Sequence, residues 1–192
     1  MIPQNIEGAE TNTESAAEFD SAAASHQFFL TAKQRLLNVN AWHDLAGKAT
    51  AVFRLTDEHG NEVNRVVQQG DHLRISIPAP GPVTGEGFDW VKVEAIDEKE
   101  NYLAIRVRPA SNPLSDQRDV AHFFTDSATS SFIIKKEDLK VVAGVYGRNE
   151  KPNTDTEHTM DKIRNTAIAT GAIAGFAKIQ WKSLVNGFVS PV

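Results

Sequence analysis

The stretch FLTAKQRLLNVNAW, residues 29–42, predicts two short helices that follow one another near the start of the chain. Thr31 and Gln34 have the spacing of a capping box, in which the threonine hydroxyl accepts a hydrogen bond from an early helix amide and the glutamine reaches back. Asn40 is suited to cap a second helix that begins directly after it. The two predicted helices cover residues 32–38 and 41–45.

The middle of the chain alternates apolar and polar residues, which is the pattern of half-buried β-strands. In one such segment, Leu103, Ile105 and Val107 fall on one face and Arg106 on the other. Short turns between these segments favour an antiparallel meander. The predicted strands cover residues 25–30, 48–56, 62–69, 71–77, 89–97, 101–108, 120–126 with 130–136 as two halves of one bent strand, and 139–148.

The last segment has the periodicity of a single long helix. Apolar residues from Ile163 to Phe188 advance by alternating steps of four and three, which places them on one helical face. A capping box at Thr154 and Glu157 begins a helix of about 30 residues, roughly 45 Å long, which Gly187 is placed to end. Small residues in its middle allow the backbone to lie close to a packing partner.

This order of elements resembles that of the START-like, helix-grip superfamily over about residues 25–190. Residues 29–42 look like that family's first strand, capping turn and helix pair ending in a tryptophan. The resemblance implies an α+β fold, in which a curved antiparallel sheet of six to seven strands wraps around one long C-terminal helix and two short helices precede the sheet. It also implies an apolar cavity between sheet and helix that binds lipids, polyketides or other hydrophobic small molecules.

The first twenty residues differ in composition from the rest of the chain. They hold five acidic residues, no basic residue and one large aromatic group, Phe19. Such a segment buries too little apolar surface to offset the entropy lost on ordering. We therefore expect residues 1–20 to form a disordered acidic tail and residues 21–192 to form a single START-like domain.

Composition and motifs exclude or disfavour several functional classes. Cysteine is absent, which excludes thiolate chemistry and cysteine-ligated metals. Outside residues 1–20, acidic and basic residues balance at 20 each, so nucleic acid is not expected as a partner. The histidines lack helical metal-ligand spacing, and no nucleotide-binding or hydrolase motif occurs, so neither a metal nor a cofactor is expected. The N-terminus lacks a signal-peptide pattern and no apolar run spans a bilayer, which predicts a cytoplasmic protein.

Candidate ligand-binding residues come from the aromatic, small and ionisable side chains of the predicted elements. His122 lies in the otherwise apolar run VAHFF, where it either faces the cavity as an ionisable group or is a satisfied or edge-exposed histidine. Arg106 most simply faces solvent, and the alternative is that it pairs with a ligand carboxylate. Periodicity does not distinguish aromatic groups that fill a core from those that border a cavity. The candidate set is Trp42, Phe53, Trp90, Arg106, His122, Phe124, Tyr146, Ala174 and Trp181.

Three functions are compatible with these patterns. The first is a non-enzymatic binding protein for a hydrophobic small molecule of lipid-like or polyketide-like character. The second is a cyclase or hydrolase on the same scaffold, with His122 as a general acid or base. The third is an interaction scaffold that recruits a protein partner through the acidic tail. A homodimer is compatible with all three, because symmetric dimers are the commonest soluble oligomers.

Overall fold

The computed structural model describes residues 1–47, 51–77, 82, 84–116, 118–155, 159–167 and 174–191, with the backbone alone for residues 159 and 174–177. Two helices and a 3₁₀ turn lie between the first strand and the second, and two helices follow the last strand. The strands are β1 Ala9–Glu18, β2 Val52–Thr56, β3 His72–Ser76, β4 Asp89–Lys99, β5 Tyr102–Pro109, β6 Thr129–Glu137 and β7 Lys140–Glu150. The helices are α1 Ala22–Leu37, the 3₁₀ turn Val39–Ala41, α2 Trp42–Ala46, α3 Thr159–Ala167 and α4 Ala174–Val189.

The strands form one seven-stranded antiparallel sheet in the part of the chain that is described. Its order is β1-β7-β6-β5-β4-β3-β2, so the first strand lies beside the last and the rest follow as a meander. Each strand from β2 to β6 pairs with the next one along the chain, as short connections favour. The predicted α+β fold class with an antiparallel sheet and a C-terminal helix is confirmed.

The main core lies between one face of the sheet, here called the inner face, and helices α1, α2 and α4. Trp42 is fully buried in this core, and its ring lies 4.8 Å from that of Phe132 and 5.7 Å from that of Phe188 on α4. The Trp42 Nε1–H donates to the backbone oxygens of Arg35 and Leu36 at the end of α1. Trp42 therefore joins both N-terminal helices to the sheet and to the C-terminal helix.

The opposite, outer face of the sheet is partly covered by the first residues of the chain. Met1 packs there against a small cluster that includes Ile133 and Tyr146. Two hydrogen bonds join this segment to Asn149: the Asn5 Oδ1 accepts from the Asn149 amide, and the Asn149 Oδ1 accepts from the Ile6 amide, each at 2.7 Å. The start of the chain is thus fastened to the end of β7.

The expectation that residues 1–20 form a disordered tail is wrong for the segment Ala9–Glu18, which is strand β1. It pairs antiparallel with β7 from Ala9 opposite Glu150 to Glu18 opposite Lys140, with one irregularity near its start. Its side chains are mostly small and exposed, so its own sequence carries little hydrophobic signal. The strand is held by main-chain pairing with β7 and by packing of Ala17 on the core.

The first helix is longer than predicted and replaces the strand expected at residues 25–30. Ser21 caps it, with its side chain accepting a hydrogen bond from the Ala24 amide at 3.2 Å. Phe29, Ala32 and Leu36 are fully buried, and their spacing is that of one helical face. Thr31, the expected cap, lies inside the helix.

Two further expectations about local structure need correction, and the expectation of one long C-terminal helix falls partly outside the described residues. Residues 62–69 and 120–126 contain no strand and make only single bridges, Thr56 with Glu62 and Phe124 with Pro152. The C-terminal segment contains α3 and α4, and the residues between them lie outside the described part of the chain. Ile163, which was expected on the buried face, is exposed on α3, whereas Asp161 and Asn165 are buried. Polar contacts therefore hold α3 in place.

Candidate ligand-binding site

A cavity of about 480 Å³ lies between the inner face of the sheet and the start of α4. Its walls come from strands β1 to β7, from the segment before β6 and from one turn of α4. Most of the lining side chains are aliphatic or aromatic. The described lining residues are Ala9, Thr11, Asn12, Thr13, Phe53, Leu73, Ile75, Ile77, Val91, Val107, His122, Phe123, Phe124, Ser130, Phe132, Glu150, Lys178, Gln180 and Trp181.

Strand alternation explains why these sheet residues share a wall. Leu73 is paired with Val91 across β3 and β4, so their side chains lie on the same face of the sheet. Trp181 of α4 closes the opposite side, with its ring 5.6 Å from that of Phe132 and 6.2 Å from that of Phe53. An apolar molecule in the cavity would contact aliphatic and aromatic side chains of the sheet on one side and Trp181 of α4 on the other.

His122 is the most buried ionisable group in this lining, with 7% of its surface exposed. Its Nδ1 accepts a hydrogen bond from the Phe124 amide at 3.0 Å, which leaves the hydrogen of the neutral ring on Nε2. Burial, and to a lesser degree the positive charge of Arg164, lowers the pKa of His122 to about 3. The imidazole is therefore uncharged near neutral pH and presents an N–H donor.

The backbone around His122 is held by a network of buried amides. The Asn153 side chain donates to the backbone oxygens of Val120 and His122 at 3.0 and 3.1 Å. The Asn165 side chain of α3 donates in turn to the Asn153 backbone oxygen at 2.8 Å. The network adds to the backbone hydrogen bonds that Ala121 makes with Trp90 and Ala110, so the backbone around His122 is held from both β4 and α3.

Gln180 is a second buried polar residue in the lining, with 5% of its surface exposed. Its Oε1 accepts a hydrogen bond from the Ala51 amide at 3.2 Å, directly before β2. This contact fixes the orientation of the amide and assigns Nε2 as the free donor end. Within the described residues, neither the Gln180 Nε2 nor the His122 Nε2 has a hydrogen-bond acceptor.

The rim of the cavity near β1 is polar. The Thr11 hydroxyl donates to the Glu150 carboxylate at 3.1 Å. Burial raises the pKa of Glu150, and the hydroxyl of Thr11 and the charge of Arg148 only partly oppose it. Lys178 at the start of α4 is exposed. The charged groups of the lining thus lie at the ends of β7 and α4, whereas the strands between them supply apolar walls.

The structure places four of the predicted site residues in one cavity lining: Phe53, His122, Phe124 and Trp181. Trp42 and Trp90 are buried in the interior outside the lining, and Trp90 donates to the Gly85 backbone oxygen. Ala174 begins α4, and its side chain lies outside the described residues.

Arg106 and Tyr146, two of the predicted ligand-binding residues, lie outside this cavity lining. Arg106 pairs with Glu94 at 2.8 Å and reaches the Met1 backbone oxygen, so it lies on the outer face. Tyr146 packs on that face with Ile133, and its hydroxyl donates to the Glu14 carboxylate. Both alternate along their strands with inner-face residues, and strand periodicity alone does not say which face is inner.

Several lining residues were absent from the candidate set. Thr11 and Thr13 belong to β1, which looked like a tail because its residues are small. Gln180 carried a detectable signal, since it is a polar residue beside Trp181 in an apolar helical segment. Ser130 lies in a strand that was predicted, but its inward orientation depends on register.

Two other kinds of site were searched for in the described residues. No group of three or more His, Asp or Glu side chains there could hold a metal ion. Across the same residues, no helix is both long and apolar enough to cross a membrane.

Comparisons with known proteins bear on the fold. No family model and no curated protein sequence matches the chain. Among solved structures, a hypothetical protein from Helicobacter pylori matches with a TM-score of 0.60 and 11% identity, over 99% of this chain and 98% of that one. Truncated norcoclaurine synthase from Thalictrum flavum matches with a TM-score of 0.45 and 11% identity over 100% of both chains. Major latex-like protein 151 from Panax ginseng matches with a TM-score of 0.39 and 12% identity, over 88% of this chain and 98% of that one.

The fold is of the START-like, helix-grip class. A first strand followed by two helices, a meander of six strands and a C-terminal helix is the order that the sequence resemblance implied. The seven strands form one antiparallel sheet in the described part of the chain. The resemblance to START-like proteins that the order of elements indicated is therefore confirmed at the level of fold.

Proposed function

We propose that this protein binds a hydrophobic small molecule, lipid-like or polyketide-like, in the cavity between the sheet and α4. The observation that carries the proposal is the cavity of about 480 Å³ with walls of aliphatic and aromatic side chains. Small-molecule sites typically have volumes of about 300–1,000 Å³, mostly apolar walls and a few polar groups that orient the ligand. This lining has that composition.

The geometry of His122 favours binding over acid–base catalysis. A general base is most effective when its pKa lies near the working pH, whereas the pKa of His122 is lowered to about 3. Its Nδ1 is already an acceptor for the Phe124 amide, so proton uptake there would break a buried hydrogen bond. His122 is better suited to donate a hydrogen bond than to take a proton.

The test is native mass spectrometry of the freshly purified protein, followed by denaturing extraction and identification of any released molecule. A matched pair of variants shows whether the molecule occupies this cavity. Val91→Phe adds bulk to the lining, whereas Lys92→Phe adds the same ring at the next residue, which is exposed and outside the lining. We expect an apolar adduct on wild type and Lys92→Phe and its loss from Val91→Phe.

Two results would contradict the proposal. One is retention of the adduct by a folded Val91→Phe variant, which would place the molecule elsewhere. The other is a native mass of wild type without any adduct, together with no binding of added substituted naphthalenes, which are small apolar probes of a size that suits the cavity. The cytoplasmic location and the homodimer stay predictions.

A further inference from the structure

We infer that the ligand carries uncharged hydrogen-bond acceptors of the carbonyl class, which receive hydrogen bonds from the Nε2 group of His122 and from that of Gln180. This inference rests on the proposed function and specifies the chemistry of the molecule that enters the cavity. It predicts a ketone, ester, lactone or amide on an apolar body and disfavours a plain hydrocarbon.

The two donors are fixed in orientation by the protein itself. The Phe124 amide occupies Nδ1 of His122 at 3.0 Å, and the Ala51 amide occupies Oε1 of Gln180 at 3.2 Å. In each side chain the acceptor atom is therefore satisfied by backbone, and the atom left over is an N–H donor. Within the described part of the chain, His122, which precedes β6, and Gln180 of α4 thus each present an N–H donor without an acceptor in the same cavity lining.

The position of these unused donors in the cavity wall makes them informative. His122 and Gln180 expose only 7% and 5% of their surfaces, and neither Nε2 has an acceptor among the described residues, yet neither atom is shut off from the cavity. A ligand that fills the cavity excludes water from it, and a donor that is then buried without an acceptor is unfavourable. A ligand acceptor would satisfy these groups, whereas an apolar group would leave them unsatisfied.

The charges near the cavity favour a neutral acceptor over a carboxylate. The buried cation near His122 is Arg164, and its guanidinium donates two hydrogen bonds to the Asp89 carboxylate. The carboxylate of Glu150 also lines the cavity, and a second negative charge would be repelled by it. Lys178, the cation of the described lining, is exposed, and an anion inside the cavity without a buried cation is costly, so two neutral donors suit a neutral oxygen.

The experiment compares three naphthalenes of nearly the same shape by titration calorimetry. They are 2-acetylnaphthalene, which has a carbonyl, 2-isopropylnaphthalene, which replaces it with an apolar branch, and 2-naphthoate, which carries a negative charge. We expect wild type to bind the ketone about tenfold more tightly than the hydrocarbon, the effect of satisfying one or two buried donors. The naphthoate should bind more weakly than the ketone.

The variants His122→Phe and Gln180→Leu should each reduce the preference for the ketone severalfold while they retain or increase affinity for the hydrocarbon. His26→Phe is the matched control, because His26 is exposed on α1 and outside the lining. Infrared spectroscopy supplies an independent readout in wild type. The carbonyl stretch of the bound ketone should lie at lower frequency than in an apolar solvent, and His122→Phe should reverse part of the shift.

The outcomes separate this inference from the proposed function. Equal or tighter binding of 2-isopropylnaphthalene by wild type would overturn the carbonyl assignment and leave the binding function standing. Tightest binding of 2-naphthoate would also overturn it, because the site would then select an anion. An unshifted carbonyl stretch would overturn it even if both variants failed to fold. Binding of none of the three probes would overturn both proposals.

Discussion

Arg164 of α3 donates two hydrogen bonds to the carboxylate of Asp89 at the start of β4, at 3.2 and 2.5 Å. The two side chains expose 8% and 1% of their surfaces, so the ion pair is buried. On the same helix, Ile163 and Met160 are exposed. The attachment of α3 to the sheet therefore depends on paired charges and amides more than on apolar burial.

We expect Arg164→Met to lower the free energy of unfolding by about 3–5 kcal/mol, because it leaves Asp89 buried without its partner. The double variant Asp89→Leu with Arg164→Met should recover much of the loss, since it removes both charges. Urea denaturation measures both. Lys162→Met, an exposed change on the same helix, should stay within about 0.5 kcal/mol of wild type. If Arg164→Met lowered the free energy of unfolding as little as Lys162→Met, the ion pair would not be important for stability.

The pKa of His122 predicts a pH-dependent stability. Because the pKa is about 3 in the folded protein and near 6.5 when unfolded, the unfolded chain binds the proton more readily between these values. Stability should therefore be unaffected by His122 above about pH 6.5 and fall as the pH is lowered toward 3, by at most about 1.4 kcal/mol per pH unit. Urea denaturation of wild type and His122→Phe at several pH values isolates this contribution, because other groups titrate in both.

The difference in stability between wild type and His122→Phe should thus shift in favour of the variant as the pH falls. Burial also raises the pKa of Asp89, which lies beside Arg164, and this effect is common to both proteins. A difference that stays constant from pH 7 to pH 4 would show that His122 is not held neutral by its surroundings.

Gly8 offers a test of how β1 is attached. It has a φ of 63°, and a Cβ there would lie 2.7 Å from the Glu150 backbone oxygen. Gly70 has a φ of 97°, but a Cβ there would meet nothing within 4 Å. We expect Gly70→Ala to cost about 1 kcal/mol from backbone strain and Gly8→Ala to cost more, because it also pushes β1 from β7.

Hydrogen exchange read by mass spectrometry locates that effect. Amides of residues 9–18 should be protected in wild type, lose protection in Gly8→Ala and keep it in Gly70→Ala. Immediate exchange of these amides in wild type would instead support the tail that the sequence suggested.

The tryptophans should divide into one that contacts the ligand and one that supports the core. Trp181 lines the cavity, so Trp181→Phe should weaken binding of 2-isopropylnaphthalene about threefold to tenfold with little loss of stability. Trp42 is fully buried outside the lining, so Trp42→Phe should lower stability and leave the affinity of the folded protein unchanged. Calorimetric titration and thermal unfolding separate the two effects. Weaker binding by Trp42→Phe together with unchanged binding by Trp181→Phe would mean that the ligand binds elsewhere.

Strands in which apolar and polar residues alternate strongly could be predicted from the sequence, because the apolar side chains themselves indicate which face of the strand is buried. Leu103, Ile105 and Val107 are all buried on β5, as their spacing indicated. Strand β1 could not be recognised in this way, since its small and acidic residues gain order from the neighbouring strand β7. Pairing between residues far apart in sequence leaves no local pattern.

Residues of the cavity lining could be predicted where a large apolar group lies on a predicted element. They were missed where the direction of a side chain depends on strand register or on a contact with a distant residue. Phe53 and Trp181 are large apolar groups on predicted elements, and both line the cavity. Arg106 was ambiguous, because a strand residue may face either side and the Glu94 partner that holds it outward is set by register. The unused donor of Gln180 depends on a contact with the Ala51 amide, which no sequence pattern reports.

The cavity rim combines residues of β1 with residues of α4, and these two elements are also tied directly where Lys182 donates to the Glu14 backbone oxygen across 168 positions of sequence. β1 is synthesised before β7 and α4, so its pairing and packing are complete only after both of these elements have been made. Contacts of such long separation form late and slow folding. The cavity is therefore complete only once α4 has folded against the sheet, so a molecule that fills it would enter after that step.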